Sequence, residues 1–220
     1  MSLTYGVAVL ARPTFDVPFA EDMKTRAFAA LEAAGIRTVG PRELLFDRAA
    51  AEQAISDIRA AGPIDLLLIL QITFTDATMT VKLAKEAATP IAIWAVPEPR
   101  NGGRLRLNAY CGLNLAAHAL GRAGVPHGWL YAAPDAPDLS TSLRALATPA
   151  AAVPTRARPV QVAADAAAER VLDSMRGAKI TVVGKHPDGF DTCEYDEELL
   201  FKLAGMRVET VQLGQLFDKA

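Results

Sequence analysis

The sequence predicts an α/β fold, namely a doubly wound parallel sheet of flavodoxin-like order followed by an incomplete second α/β unit. Three observations carry this expectation. Short apolar runs alternate with stretches of helical period through residues 7–131. One run, Leu66 to Leu70, is unbroken Leu and Ile, the pattern of a strand buried on both faces of a parallel sheet. After a stretch rich in Ala and Pro, the same alternation restarts near Ala164. Strands and helices alternating at this spacing require right-handed crossovers, and five strands suit an order whose functional edge lies at their C-terminal ends.

Taken in order, Val7 to Ala11 is the first strand, and Met23, Ala27, Leu31 and Ala34 put apolar groups on one helix face. Gly35 then stands where a helix C-terminal cap belongs. Arg37 to Val39 forms a second strand, and Pro41 leads into a helix over Asp47 to Ala60 that Gly62-Pro63 stops. The buried strand Asp65 to Leu70 precedes a helix over Asp76 to Ala87, then a strand over Ile91 to Ala95. A long loop, Val96 to Leu107, carries Pro97, Pro99 and Gly102-Gly103 and leads to a helix over Asn108 to Gly124 and a strand at Gly128 to Tyr131. These elements define a first domain over residues 1–147 and a linker over 148–165. The second domain, residues 166–220, holds a helix to Met175 and strands at Lys179 to Gly184 and Arg207 to Val211. Two strands cannot bury both faces of a sheet, so either polypeptide beyond Ala220 completes this domain, the expectation preferred because the βαβ pattern restarts so fully, or the piece packs onto the first domain.

The formal net charge of -2, with basic residues scattered singly, gives nothing to neutralise phosphates and argues against nucleic acid or anionic membrane as a partner. Cys111 and Cys193 make neither a CxxC nor a zinc-ligand spacing, which suits a reducing cytoplasm. Arg12 ends the first apolar run too early for a signal peptide, and no run is long enough to span a bilayer.

Several residues could meet a ligand. The loop Ala11 to Asp16 has no glycine and so cannot approach a phosphate closely, which excludes a dinucleotide fingerprint or P-loop. Arg12 still sits at a strand's C-terminal end, where its donor fork could hold ligand oxygens or simply be a surface charge. Gln71 to Asp76 offers amide and hydroxyl groups for a polyol and Phe74 for stacking on a sugar; equally, Thr75 or Asp76 can cap the next helix with Phe74 in the core. Trp94 suits either the core or a pocket wall, beside a loop that carries Glu98, Arg100 and Arg104. Tyr110, Asn114, His118 and Arg122 share one helical stripe, readable as a solvated face or as a wall toward a ligand or neighbouring subunit. His186, Asp188, Asp191, Cys193 and Glu194 cluster in one loop, but without metal-ligand spacing, and acidic residues are expected where a helix opens. No GxSxG elbow and no acidic pair after the first strand is present. The residues themselves therefore describe an α/β ligand-binding domain without a catalytic set.

Several segments, in order, resemble the sugar ketol isomerase family of L-fucose and L-arabinose isomerases. Arg12-Pro13-Thr14-Phe15-Asp16 is similar to the Arg-Pro-x-x-Asp that follows the first strand of fucose isomerases. Thr73-Phe74-Thr75-Asp76-Ala77-Thr78-Met79 resembles the His-Thr-Phe-Ser-Pro-Ala-Lys-Met segment of arabinose isomerases, and Asn114-Leu115-Ala116-Ala117-His118 their Asn-Gln-Ser-Ala-His. Met175 to Asp218 resembles the opening of the family's second domain. Ile72 and Leu115 replace a histidine and a glutamine of the arabinose enzymes, so neither sugar preference transfers.

The resemblance implies aldose–ketose interconversion through an ene-diol, with a divalent metal, typically Mn2+, and paired carboxylates. It places those ligands beyond Ala220, so no catalytic or metal-binding residue and no bound cofactor is expected in this chain, which alone should be inactive. It also implies a homo-oligomer, a hexamer in such enzymes, in which this domain walls a neighbour's sugar pocket. Arg12, Phe74 and His118 would face that pocket by resemblance; Gln71, Trp94 and Asn114 are added from their positions at strand ends or on the stripe. The rival expectation is a non-catalytic sugar-binding or regulatory module on the same scaffold.

Overall fold

The computed structural model describes residues 3–148 and 166–218. Apart from Thr148, the linker expected over 148–165 lies outside the described residues, as do Ala164 and Asp165 at the start of the helix expected after it. The chain divides into two compact units, Met1–Thr155 and Arg156–Ala220.

In the first unit β1 (Leu3–Leu10), β2 (Ile36–Val39), β3 (Leu66–Gln71), β4 (Ile91–Ala95) and β5 (His127–Tyr131) form one sheet in the order β2-β1-β3-β4-β5. All neighbours pair in parallel, which is the flavodoxin-like order. The connecting helices are α1 (Val17–Ala33), α2 (Arg48–Ala60), α3 (Thr78–Ala87) and α4 (Ala109–Arg122), with α5 (Leu139–Ala145) after β5.

The strand pattern decides the two-layer burial. In β3, Leu66, Leu68 and Leu70 enter one apolar cluster with α1 and α5, while Leu67 and Ile69 enter the other with α2, α3 and α4. Every residue of β3 is buried. At about 1.5–3 kcal/mol for each fully buried Leu or Ile, this strand anchors both faces of the sheet.

The start of the first strand differs from the sequence expectation for a physical reason. β1 begins at Leu3 rather than Val7, because Tyr5 is buried with its hydroxyl donating to the Leu143 carbonyl at 2.6 Å. Gly6 belongs to the same strand because a Cβ there would meet Ile58 Cγ2 at 2.6 Å and Ile64 Cδ1 at 2.8 Å. The first helix, whose apolar face the sequence shows from Met23 on, begins at Val17, since the Asp16 carboxylate caps it by accepting from the Phe19 amide at 3.0 Å and Pro18 suits its first turn. Gly35, at φ +68°, ends the helix as its position in the sequence indicates.

The second unit contains α6 (Ala166–Met175), β6 (Lys179–Val183), α7 (Glu197–Ala204), β7 (Arg207–Val211) and α8 (Leu213–Phe217). β6 and β7 pair in parallel. Asp196 caps α7 through the Leu199 amide at 2.9 Å, and Gly205 ends it at φ +64°. Ile180, Val183, Leu199, Phe201, Leu203 and Phe217 are exposed, as expected where a two-stranded sheet leaves apolar faces uncovered. No helix among the described residues is long and apolar enough to cross a membrane.

Candidate functional site

In a doubly wound sheet the crevice forms beyond the strands' C-terminal ends, where successive connections leave to opposite faces. Here that point lies between the neighbouring strands β1 and β3. The loop after β1 is tied to the loop after β3 by the Arg12 amide, which donates to Thr73 Oγ1 at 2.8 Å. It is tied again by the Arg12 guanidinium, which meets Asp76 Oδ2 at 2.8 Å. Arg12 also lies over the Phe74 ring at 5.8 Å, and Phe15 packs against that ring at 6.3 Å between centroids.

The long loop after β4 folds onto both. Phe74 donates its amide to the Leu107 carbonyl at 2.8 Å. Arg106 Nε donates to Asp16 Oδ2 at 2.8 Å, its guanidinium covers the Phe19 ring at 3.9 Å, and Arg104 donates to the Thr14 carbonyl at 3.0 Å. The Phe19 amide first, then the Arg106 guanidinium, hold the Asp16 carboxyl below the usual carboxylate range.

Glu98 organises this loop. Its carboxylate accepts from three consecutive amides, those of Arg106 at 2.5 Å, Leu107 at 2.8 Å and Asn108 at 2.6 Å. Successive amides converging on an anion form a nest, and the protein fills this one with its own carboxylate. Asn108 adopts the left-handed conformation at φ 53° as the chain turns into α4. Beside that turn Tyr110 packs on Tyr131, at the end of β5, with ring centroids 4.9 Å apart. Burial pushes the Tyr131 phenol up, while Arg100 offsets part of that rise.

The six residues singled out from the sequence separate into three places. Arg12 and Phe74 come together at the sheet's C-terminal edge, part-exposed. Gln71 and Trp94 have no exposed surface. Gln71 donates to the Thr73 carbonyl at 2.6 Å and to Thr75 Oγ1 at 3.0 Å, while its own Oε1 lacks a partner. It lies under Gly112 of α4, where a Cβ would stand 3.0 Å from its Nε2. Trp94 is core, and its indole N–H donates to the Ala132 carbonyl at 3.0 Å. Asn114 and His118 are exposed on α4. That helix runs back from the edge, which carries His118 about 12 Å along the axis from Tyr110. The stripe is thus an exposed flank of α4, apart from the Arg12–Phe74 cluster.

Tyr131 and the Glu98 nest were missed in the sequence. Tyr131 closes a strand and reads as core, and a nest depends on backbone direction. Among the described residues no three His, Cys, Asp or Glu side chains come together as metal ligands, so those residues do not by themselves fit the divalent ion that the family resemblance implies.

A family model described as the N-terminal domain of fucose/sulfoquinovose isomerases matches residues 6–155. The chain is 27% identical over 210 residues to a sulfoquinovose isomerase of Priestia aryabhattai, an alignment covering 96% of this chain and 43% of that protein. It is 26% identical to one from Alkalicoccus urumqiensis, with 99% and 44% covered. A third, from Clostridium sp. (strain MSTE9), is 24% identical, with 98% and 44% covered. The chain thus spans less than half the length of these curated relatives.

Proposed function

The chain belongs to the fucose/sulfoquinovose isomerase family, and from that premise we propose that it is the substrate-facing front part of an aldose–ketose isomerase acting on a sulfonated sugar. The observation that carries this reading is the convergence of the loops after β1, β3 and β4 around Arg12 and Phe74, at the edge where such sheets take ligands. Arg12 presents N–H donors to sugar hydroxyls and Phe74 an apolar surface to the ring's C–H groups, while the buried Thr73 hydroxyl holds the two loops together. The Asp76 pair fixes the Arg12 guanidinium, so little side-chain entropy is lost when a ligand binds.

The isomerisation moves a proton between neighbouring carbons through an ene-diol, which requires a base and stabilisation of the developing oxyanion. The described residues supply binding and orientation for this reaction. In our reading the base and the divalent ion, Mn2+ by family resemblance, are held by other polypeptide. His118 and Asn114 then face a neighbouring copy in a homo-oligomer, where the pocket is completed.

The test is to isolate the protein as its gene encodes it, supply Mn2+, and follow ketose formation from sulfoquinovose and a panel of neutral aldoses by NMR. Exchange with the sulfonated sugar supports the proposal. Metal-replete protein that interconverts no aldose overturns it. The rival, a non-catalytic sugar-binding module, is the outcome in which sugar binds tightly without metal and is not turned over.

A further inference from the structure

The three loops at the sheet's C-terminal edge carry Arg12, Arg100, Arg104 and Arg106 against Asp16, Asp76 and Glu98, in a chain whose net charge is -2. The carboxylates are all engaged. Asp76 takes Arg12, Asp16 takes Arg106, and Glu98 is held by three backbone amides. Arg104 is committed to the Thr14 carbonyl. Arg100 alone of the four arginines makes no ion pair or side-chain hydrogen bond among the described residues, and it is exposed. Among the described residues two guanidiniums at this edge, Arg100 and Arg104, therefore lack a carboxylate partner, and of these only Arg100 has all its donors open to solvent. Arg100 is presented by a loop whose return is fastened through Glu98 and whose tip, Gly102-Gly103, turns at φ +76° and +73°.

We infer that Arg100 reads the anionic substituent of the substrate, and that it is the residue by which this edge prefers a sulfonated over a neutral sugar. The inference rests on the isomerase reading and adds to it the group that sets specificity. A sulfonate has three acceptor oxygens, which a planar guanidinium meets through two parallel N–H donors. In sulfoquinovose the sulfonate is at the opposite end of the sugar from the two carbons that exchange the proton. The part of the protein that reads it can therefore be separate from the part that does chemistry. Tyr131 adds a second polar group. Its phenol lies within Arg100's field, half-buried and packed at a tilt of 58° against the Tyr110 ring, and like any phenol at neutral pH it can donate a hydrogen bond. Nothing would be left unpaired when the site is empty, because Arg100 is solvated there. That favours a rim residue that sets affinity and encounter rather than folding.

The experiment uses the protein as its gene encodes it, with Mn2+, and compares Arg100→Ala and Arg100→Lys with the unsubstituted protein on sulfoquinovose and on quinovose, its neutral counterpart. The expected result is an increase in KM for sulfoquinovose of about 10- to 100-fold in Arg100→Ala, the range for losing a charge-assisted hydrogen bond, with kcat little changed. Arg100→Lys should recover part of it, KM for quinovose should not move, and added salt should erode the difference. An active enzyme whose sulfoquinovose KM is indifferent to Arg100→Ala overturns this inference and leaves the isomerase reading standing. An unsubstituted protein that isomerises neither sugar overturns both. Equal losses on the two sugars would make Arg100 a general structural or sugar contact and also overturn it.

Discussion

Replacing Glu98 by alanine should release the return of the long loop without unfolding the sheet. The carboxylate accepts three backbone hydrogen bonds, from Arg106, Leu107 and Asn108. Bonds to a charged acceptor contribute about 1.5–3 kcal/mol each when buried. Glu98 is only half-buried, so water can replace part of each bond, and about 1 kcal/mol apiece is the fair figure. The sum, about 2–3 kcal/mol, corresponds to roughly 30- to 150-fold faster local opening. Amide hydrogen exchange read residue by residue should show that acceleration at Arg106, Leu107 and Asn108, while the amides of β3 keep their protection. Glu98→Gln, which keeps one carbonyl oxygen, should fall between. Unchanged exchange at those three amides would refute the reasoning, and so would equal acceleration in β3.

Three further outcomes follow from the same geometry. Arg12→Ala should raise KM for the sugar about tenfold by removing a donor fork, yet cost under about 1 kcal/mol in chemical denaturation, because its pair with Asp76 is part-exposed. Gly40→Ala should cost at least about 2 kcal/mol, since the residue sits at φ +106° and a Cβ would stand 2.7 Å from Ile58 Cγ1; Gly102→Ala, at φ +76° with open space around it, should cost about 1 kcal/mol in the same urea titration. Burial pushes the Tyr5 phenol up to about 12, so the stability it contributes is complete below pH 10 and is lost as pH rises through the folded value; between those limits roughly 2–3 kcal/mol should disappear, and Tyr5→Phe should lack that alkaline limb in urea titrations run at stepped pH.

How far the sequence revealed this molecule depends on how local the relevant physics is. The uninterrupted Leu and Ile of β3 and the recurring helical periods made the five-stranded parallel sheet legible, because burial pattern is written along the chain. Arg12 and Phe74 were legible as edge residues because a strand's end and its sheet position follow from the same pattern. Gln71 and Trp94 show the limit. Both stand at strand ends, but α4 lies across Gln71 at Gly112, and the segment after β5 supplies a carbonyl to Trp94, so both are covered. Their burial is set by elements far away in sequence. The pairing of Asp16 with Arg106, 90 residues apart, and the three amides gathered on Glu98 are equally non-local.

The claim beneath all of this is that the sheet's C-terminal edge, formed by the loops after β1, β3 and β4, is the surface that meets the sugar. Backbone chemical-shift mapping during titration with sulfoquinovose tests it most directly, because even weak binding registers. Shifts are expected to concentrate at residues 12–16, 73–76 and 98–110 and to be reduced in Arg12→Ala and Arg100→Ala. No response at saturating solubility of the sugar, or a response confined to the opposite edge of the sheet or to residues 166–218, would contradict it.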